Sequence, residues 1–411
     1  MIIGIDLRVL QTGHKYRGIG EVGKQITSRI LKMASNEQQE IKFVFFQYDL
    51  NSKKSNDPLE LIEIPDKISY ELKNVGPDPE NDDRPAWPKF KRALRELYGN
   101  PVPGASKCDV YIQFDWALGV PRWTKTILWS YDFIPLVFKR QYFISAWEPF
   151  KNRAARSTIR TLYHNYKYKR VTNRTYRRAK KIIAISENTK KDILKYTPAK
   201  KKHIEVICLG VDEKHTKTTS LSSSNSPEAL ITKPYLAFIA AGDTRRRVED
   251  LVHAFNNLKA EGHDIQLALV GENFMSQETI PNPHLRKVVQ NSSYKEDILT
   301  LGYVNDELKE KLYKNAIAYV YPTLYEGFGL PVLEAMLNRS PVITYNNSSL
   351  YEVGGNHAFY ADGWWGIKVQ VENILTMSEA QKEEYLTRAY NHAKKFTWDS
   401  CTEKVYRMLS K

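Results

Sequence analysis

Residues 321–336 read YPTLYEGFGLPVLEAM and hold two carboxylates eight positions apart, Glu326 and Glu334, with two glycines, a phenylalanine and a proline between them. An ordinary strand-to-helix turn needs about one glycine. Pro331 is preorganised for a first helical position, so a helix opens here. The backbone N–H groups of Phe328, Gly329, Leu330 and Val332 would then face an anion such as phosphate. Glu326 precedes the turn and Glu334 lies one turn into the helix, so both carboxylates can flank one ligand. Carboxylates accept hydrogen bonds from hydroxyls, which suits a ligand carrying phosphate with hydroxyl groups on either side.

A second constellation, AAGDTRRRVEDLVHAF at 240–255, ends a strand at Gly242 and follows it with Arg245, Arg246 and Arg247. Guanidinium forks match diphosphate oxygens in pairs. Three arginines on a helix start would also run against the dipole preference for acids there, which favours phosphate binding. No Asp-any-Asp pair follows any strand, and no His/Cys cluster has metal-ligand spacing. No metal or other cofactor is expected.

The elements that must position these residues read as α/β. MIIGIDL is a buried strand followed by the glycine turn RGIG, with Gly18 and Gly20, and then a helix whose Ile19, Val22, Ile26 and Ile30 recur at spacings of three and four. Strands IKFVFFQY, CDVYIQF, TKTILWSYD and KIIAIS follow, the last leading into a helix capped by Ser186. Residues 213–233, rich in Ser, Thr and Lys, read as a linker. The alternation then restarts with YLAFIAA, IQLALVG, AYVYPT and PVITY separated by helical patterns. At 411 residues the chain exceeds one ordinary core and fits two domains. No stretch has the apolar length of a membrane span, the amino terminus lacks the pattern of a signal peptide, and Cys108, Cys208 and Cys401 are isolated thiols. A cytoplasmic location is expected.

The motif Glu, seven residues, Glu around Gly-Phe-Gly-Leu-Pro, continued by PVITYNNSSLYEVGG, resembles the signature of family 4 glycosyltransferases. The resemblance covers nearly the whole chain. It implies the GT-B fold, two Rossmann-like domains facing each other across a cleft. The expected division is an acceptor-side domain at 1–215, a linker at 216–233, a nucleotide-sugar domain at 234–395, and a last helix at 396–411 packing back on the amino-terminal domain. By the same resemblance Glu326 contacts the donor sugar and Glu334 the ribose hydroxyls. Gly327, Phe328, Gly329 and Leu330 belong to the donor turn. Arg245 and Arg246 meet the diphosphate after Gly242, Arg246 standing where the family usually has lysine. Gly18 and Gly20 bring backbone to the donor phosphate, and Val304 of LGYV lines the nucleobase.

One departure is WSYDFIPL, where Tyr131 takes the place of the family's histidine and Asp132 follows. Tyrosine donates a hydrogen bond but is a poor base at neutral pH. A retaining reaction in which the departing phosphate accepts the acceptor's proton needs no protein nucleophile, and Tyr131 and Asp132 would then position sugar or acceptor. The implied activity is retaining, metal-independent hexosyl transfer, mannose as first guess, from a nucleotide-sugar to a cell-surface polysaccharide or lipid-linked glycan. Two alternatives remain: a sugar-nucleotide epimerase of related fold, and a non-catalytic basic membrane- or nucleic-acid-binding protein.

The charge is local. Residues 139–181 hold 14 Lys/Arg and one acid, Glu148, and so supply nearly all of the net +14. Arg153, Arg156, Arg160, Lys167, Arg170, Arg174, Arg178 and Lys181 recur mostly at helical spacings, interleaved with aromatics including Tyr142, Phe143, Trp147 and Phe150. Such a segment suits an anionic membrane surface at the inner face, the acceptor, or a solvated face whose aromatics pack inward. Nucleic acid is disfavoured, because no recognised motif accompanies the charge.

Overall fold

The computed structural model describes residues 1–16, 18–37, 40–50, 57–77, 102–139, 155–212 and 227–409. Contacts divide the chain into two units, 1–210 with 398–411, and 211–397. Most of the expected linker, with Arg153 and the aromatics Tyr142, Phe143, Trp147 and Phe150, lies outside the described residues.

The first unit is a seven-stranded parallel sheet of β1 (Ile2–Asp6), β2 (Lys42–Gln47), β3 (Tyr70–Asn74), β4 (Val110–Gln113), β5 (Lys125–Ser130), β6 (Lys181–Ala184) and β7 (Ile204–Val206), in the order β3-β2-β1-β4-β5-β6-β7. Its central strands are near-continuous apolar runs because helices cover both faces. Helix α1 (Gly18–Ser35) buries Val22, Ile26 and Ile30. Helix α2 (Ala155–Arg178) turns Val171, Thr172, Thr175 and Tyr176 inward. Helix α3 (Glu187–Tyr196) is capped by Ser186, whose Oγ accepts the N–H of Thr189 at 2.9 Å. The terminal helix Trp398–Leu409 belongs to this unit: it packs on α1, and Arg29 Nε donates to Asp399 at 2.8 Å.

The second unit is a six-stranded parallel sheet of β8 (Tyr235–Ile239), β9 (Gln266–Val270), β10 (Ile298–Gly302), β11 (Ala318–Tyr321), β12 (Val342–Tyr345) and β13 (Phe359–Ala361), ordered β10-β9-β8-β11-β12-β13. Helices α4 (Val248–Ala260), α5 (Pro283–Gln290), α6 (Asp306–Asn315), α7 (Leu330–Leu337), α8 (Gly363–Leu375) and α9 (Glu379–Ala393) accompany it. Among the described residues no helix is long and apolar enough to cross a membrane.

In each sheet the strand order reverses direction once, at β1/β4 in the first and β8/β11 in the second. Ligands of open parallel sheets bind outside the carboxyl ends of the strands at such a reversal. Asp6 and Asp115 stand there in the first unit, Arg245, Arg246 and Glu326 in the second.

One expectation needs correcting. Gly18 and Gly20 form the first turn of α1, and the link from β1 runs through two short 3-10 turns, Arg8–Gln11 and Gly13–Tyr16. Glycine is required at 20 by close approach: a Cβ there would lie 2.5 Å from the carbonyl oxygen of His14 and 2.6 Å from Cα of Lys15. Because the obstacle is backbone, Gly20→Ala should destabilise by about 1–3 kcal/mol, read as a lower urea midpoint with unchanged slope.

Candidate active site

The second unit's site begins with a tyrosine that must find a partner. Strand β11 buries Tyr319 and Tyr321, whose rings stack at 5.7 Å. The phenol of Tyr321 reaches the carboxylate of Glu326 at 2.5 Å. Arg245, 5% exposed, gives the same oxygen a hydrogen bond of 2.5 Å from Nη1, and that nitrogen also reaches the Tyr325 carbonyl at 2.7 Å. Arg246 approaches from Nε at 3.4 Å, donates Nη1 to the Ala241 carbonyl at 2.9 Å, and lies 5.7 Å over the Tyr321 ring. Beneath Glu326, Ser349 Oγ donates to the Glu326 and Phe328 carbonyls at 2.9 and 2.8 Å, and the Glu326 N–H donates to Ser348 Oγ at 3.0 Å.

Electrostatics decide the protonation states. Burial by itself would raise the pKa of Glu326, but Arg245 and Arg246 outweigh it and hold the carboxyl below its ordinary value. Burial works against charged Arg245, and Glu326 outweighs that in turn. Glu326 is therefore a paired carboxylate, suited to accepting hydrogen bonds rather than donating a proton. Arg245 is spent on protein groups, whereas Nη2 of Arg246 makes no hydrogen bond among the described residues.

The arginines precede the α-helix. Thr244–Arg246 is a 3-10 turn, Arg247 adopts φ +40, and α4 begins at Val248 with Glu249 and Asp250 in its first turn. The acids thus take the dipole-favoured place, and Arg247 pairs with Asp250 at 2.8 Å. Gly242 packs where a Cβ would meet Phe274 at 2.9 Å, and its N–H donates to Asn273 Oδ1 at 3.0 Å.

Gly329 caps α7 at φ +111, a left-handed conformation that favours glycine. The N–H of Val332 is taken by the Gly329 carbonyl at 3.0 Å, so the anion-facing donors are fewer than the sequence suggested. Gly327 is buried, Leu330 half-buried, and Phe328 turns inward onto Phe396, centroids 6.1 Å apart. Glu334 stands half-exposed on α7, where its Oε2 accepts from Lys309 Nζ at 3.2 Å and Tyr313 OH at 3.4 Å. Val304 is a half-buried residue just past β10, after Gly302 at φ +63. Sequence reasoning missed Tyr321, Lys309, Ser348 and Ser349. Only the tyrosines had a signal, since a buried phenol in a strand needs a hydrogen-bond partner.

In the first unit Tyr131 is buried against Trp129, ring centroids 6.4 Å apart, and its hydroxyl has no hydrogen-bond partner. Burial, then the nearby Asp115, keeps this phenol neutral far above ordinary pH. Asp132 Oδ1 accepts the N–H of Ile134 at 3.1 Å, fixing the one-turn helix Ile134–Val137. Asp115, which sequence reasoning passed over, follows β4 almost fully buried and accepts the Ala117 N–H at 2.8 Å. Burial raises its pKa, against the pull of that hydrogen bond and of His14. Among the described residues the one group of metal-ligand type is Glu261, His263 and Glu372, and Lys368 Nζ already lies 2.8 Å from both glutamates.

Two family profiles match, Glycosyltransferase Family 4 over residues 77–215 and Glycosyl transferases group 1 over residues 223–394. The chain belongs to the family 4 glycosyltransferases. It is 31% identical over 179 residues to O-antigen chain mannosyltransferase B of Escherichia coli, 43% of this chain and 46% of that one. It is 25% identical over 279 residues to the serotype-specific mannosyltransferase WbdA of Escherichia coli, 67% of this chain and 32% of that one. The chain therefore spans about half, or less, of the length of these curated relatives. Among solved structures, the Anabaena HepE protein in complex with UDP and glucose superposes with TM-score 0.66 at 14% identity, covering 100% of this chain and 99% of that one. WaaG, a glycosyltransferase involved in lipopolysaccharide biosynthesis, superposes with TM-score 0.58 at 14% identity and covers both chains fully, 100% each. The fold is GT-B, as the family 4 resemblance implied.

Two measurements check the electrostatics. Removing one partner of a buried ion pair strands the other charge, so Glu326→Ala should cost about 3–5 kcal/mol in urea unfolding, and Glu326→Gln, which keeps a hydrogen-bond acceptor but also leaves Arg245 uncompensated, only somewhat less. Because the folded pKa of Glu326 is depressed, its contribution is full above the ordinary carboxylate range and is lost as pH falls through the folded value. Asp115 has the opposite sign, its raised pKa penalising the fold at neutral pH. Asp115→Asn should unfold at higher urea than wild type at pH 7, the gap closing as pH falls below about 4, where the acid becomes protonated in both states.

Proposed function

We propose that the chain is a retaining hexosyltransferase that moves a sugar, mannose as first choice, from a nucleotide-sugar to a cell-surface polysaccharide or lipid-linked glycan. The observation that carries this reading is the grouping at the β8/β11 reversal: a paired Glu326 carboxylate, Arg246 with one guanidinium nitrogen unspent, the Gly329-capped helix, and Glu334 one turn on. A carboxylate flanked by guanidinium accepts sugar hydroxyls, and the remaining guanidinium nitrogen meets diphosphate. Glu334 Oε1 has no hydrogen bond among the described residues and is suited to a ribose hydroxyl. The names of the relatives support a mannosyl donor and a glycan acceptor.

In this reading the second unit binds donor and the first binds acceptor. Arg246 and the start of α7 stabilise the diphosphate as the glycosidic bond to it breaks. The acceptor oxygen attacks from the same face, and its proton passes to the departing phosphate oxygen, so configuration is retained without a protein nucleophile. Tyr131, neutral at working pH, serves as a hydrogen-bond donor only, and Asp132 orients the acceptor side. The reaction needs no metal, and the protein works peripherally on the inner face of a membrane.

The test is thermal shift of wild type and Glu334→Ala against GDP-, UDP-, ADP- and dTDP-sugars, with and without EDTA. A donor at a hundred times its dissociation constant stabilises by about 2.7 kcal/mol. One nucleotide class should raise the wild-type midpoint, unaffected by EDTA, and raise the mutant's far less. Equal shifts in both proteins would sink the assignment of Glu334. Product formed from donor with no acceptor present would point to the epimerase.

A further inference from the structure

Part of the basic charge gathers at one place in the fold. The segments RWTK (122–125), RVTNRTYRRAKK (170–181) and KKKH (200–203) together contain 11 Lys/Arg and no acid. They are the turn before β5, the last turns of α2 with the start of β6, and the turn before β7. Strands β5, β6 and β7 are parallel neighbours, so all three segments lie along one edge, the amino-terminal ends of the strands. Asp115, Tyr131 and Asp132 follow the opposite ends.

The cations there sit close enough to act on one another. Burial and then Arg178, Arg170 and Arg122 bring the pKa of Arg174 down to about 10. Burial and then Lys202, Lys180, Lys200 and Lys181 lower that of His203. A fold keeps like charges together at a cost that an anionic partner removes.

An apolar component accompanies the charge. Trp123, 76% exposed, projects from this edge with the Arg122 guanidinium 4.8 Å from its ring. At the last turn of α2 Arg177 is exposed, as is Lys180 just beyond it. An exposed indole among cations matches the headgroup layer of a bilayer, where the ring meets the acyl boundary and the cations meet phosphate. A single-stranded nucleic acid would also supply phosphate and stack bases on an indole, but no nucleic-acid-binding motif accompanies the charge.

We propose that the amino-terminal edge of β5–β6–β7, with Trp123 as its apolar anchor, is the surface by which the protein docks on a bilayer of anionic phospholipid. The proposal deepens the membrane part of the proposed function and rests on it. It extends the basic segment read from the sequence to Arg122, Trp123 and the 200–203 turn. Docking uses the end of the sheet opposite to Tyr131 and Asp132.

The experiment is cosedimentation of the full chain with vesicles of phosphatidylcholine alone and with about 30% phosphatidylglycerol, at low and high salt. Wild type should bind only the anionic vesicles and be released by about 0.5 M salt, where screening shortens to a few ångström. The exposed pair Arg177→Glu/Lys180→Glu should weaken binding at least tenfold, and Trp123→Ala several-fold. All variants should keep the wild-type melting temperature and donor-induced shift, so that loss of docking is separable from loss of fold or of the transferase reading. Equal binding to both vesicle types, or wild-type binding by the charge-reversed pair, overturns the proposal. So does release of the protein from anionic vesicles by single-stranded DNA at a phosphate concentration well below that of the lipid.

Discussion

A buried guanidinium held by a carboxylate and a tyrosine organises each half of this protein. In the second unit Arg245 is sealed under the β11 loop and can be there only because Glu326 faces it, with Tyr321 sharing the same oxygen. In the first unit Arg8 and Asp6 form a pair almost wholly buried at the end of β1, and Tyr111 OH donates to Asp6 at 2.8 Å. Removing a charge from water is costly, so such a pair specifies its loop geometry closely: any conformation that separates the partners leaves one of them uncompensated. Both clusters stand at the strand-order reversal of their sheet, where a ligand would bind.

This constraint divides roles among neighbouring residues of the same type. Arg245 and Arg246 are adjacent, yet the first is consumed in holding the loop and the second keeps one nitrogen outward. Glu326 and Glu334 likewise differ: one is neutralised by two arginines and locked, the other is half-exposed on a helix beside Lys309. The locked members preorganise the site and the outward members are available to a ligand, which suits electrostatic stabilisation of a leaving diphosphate.

Much of the fold was legible beforehand because it follows from local pattern. Continuous apolar runs announced β1, β5, β8 and β11, and spacings of three and four announced α1. Ser186 was readable as a cap because the side chain closes a hydrogen bond within its own turn. The short strands β3, β7, β10 and β13 were not, since strands such as YELKN at an edge carry mixed polarity and gain their pairing only from a neighbour. The first turn of α1 was mistaken for a glycine loop because glycine there answers to close packing against His14, not to a left-handed backbone.

By itself the sequence determined the family, the alternation of strand and helix, the glycine-proline turn with its two glutamates, and the concentration of positive charge. Each is a matter of residue type and near-neighbour spacing. Only the tertiary structure decided that Arg245 spends its charge on Glu326, that Tyr321 and Ser349 hold that loop, and that Tyr131 is buried beside Asp115. It alone gathered Arg122, Arg178 and the 200–203 turn onto one sheet edge. These are contacts between residues tens of positions apart, set by strand order and register, and linear spacing carries no record of them.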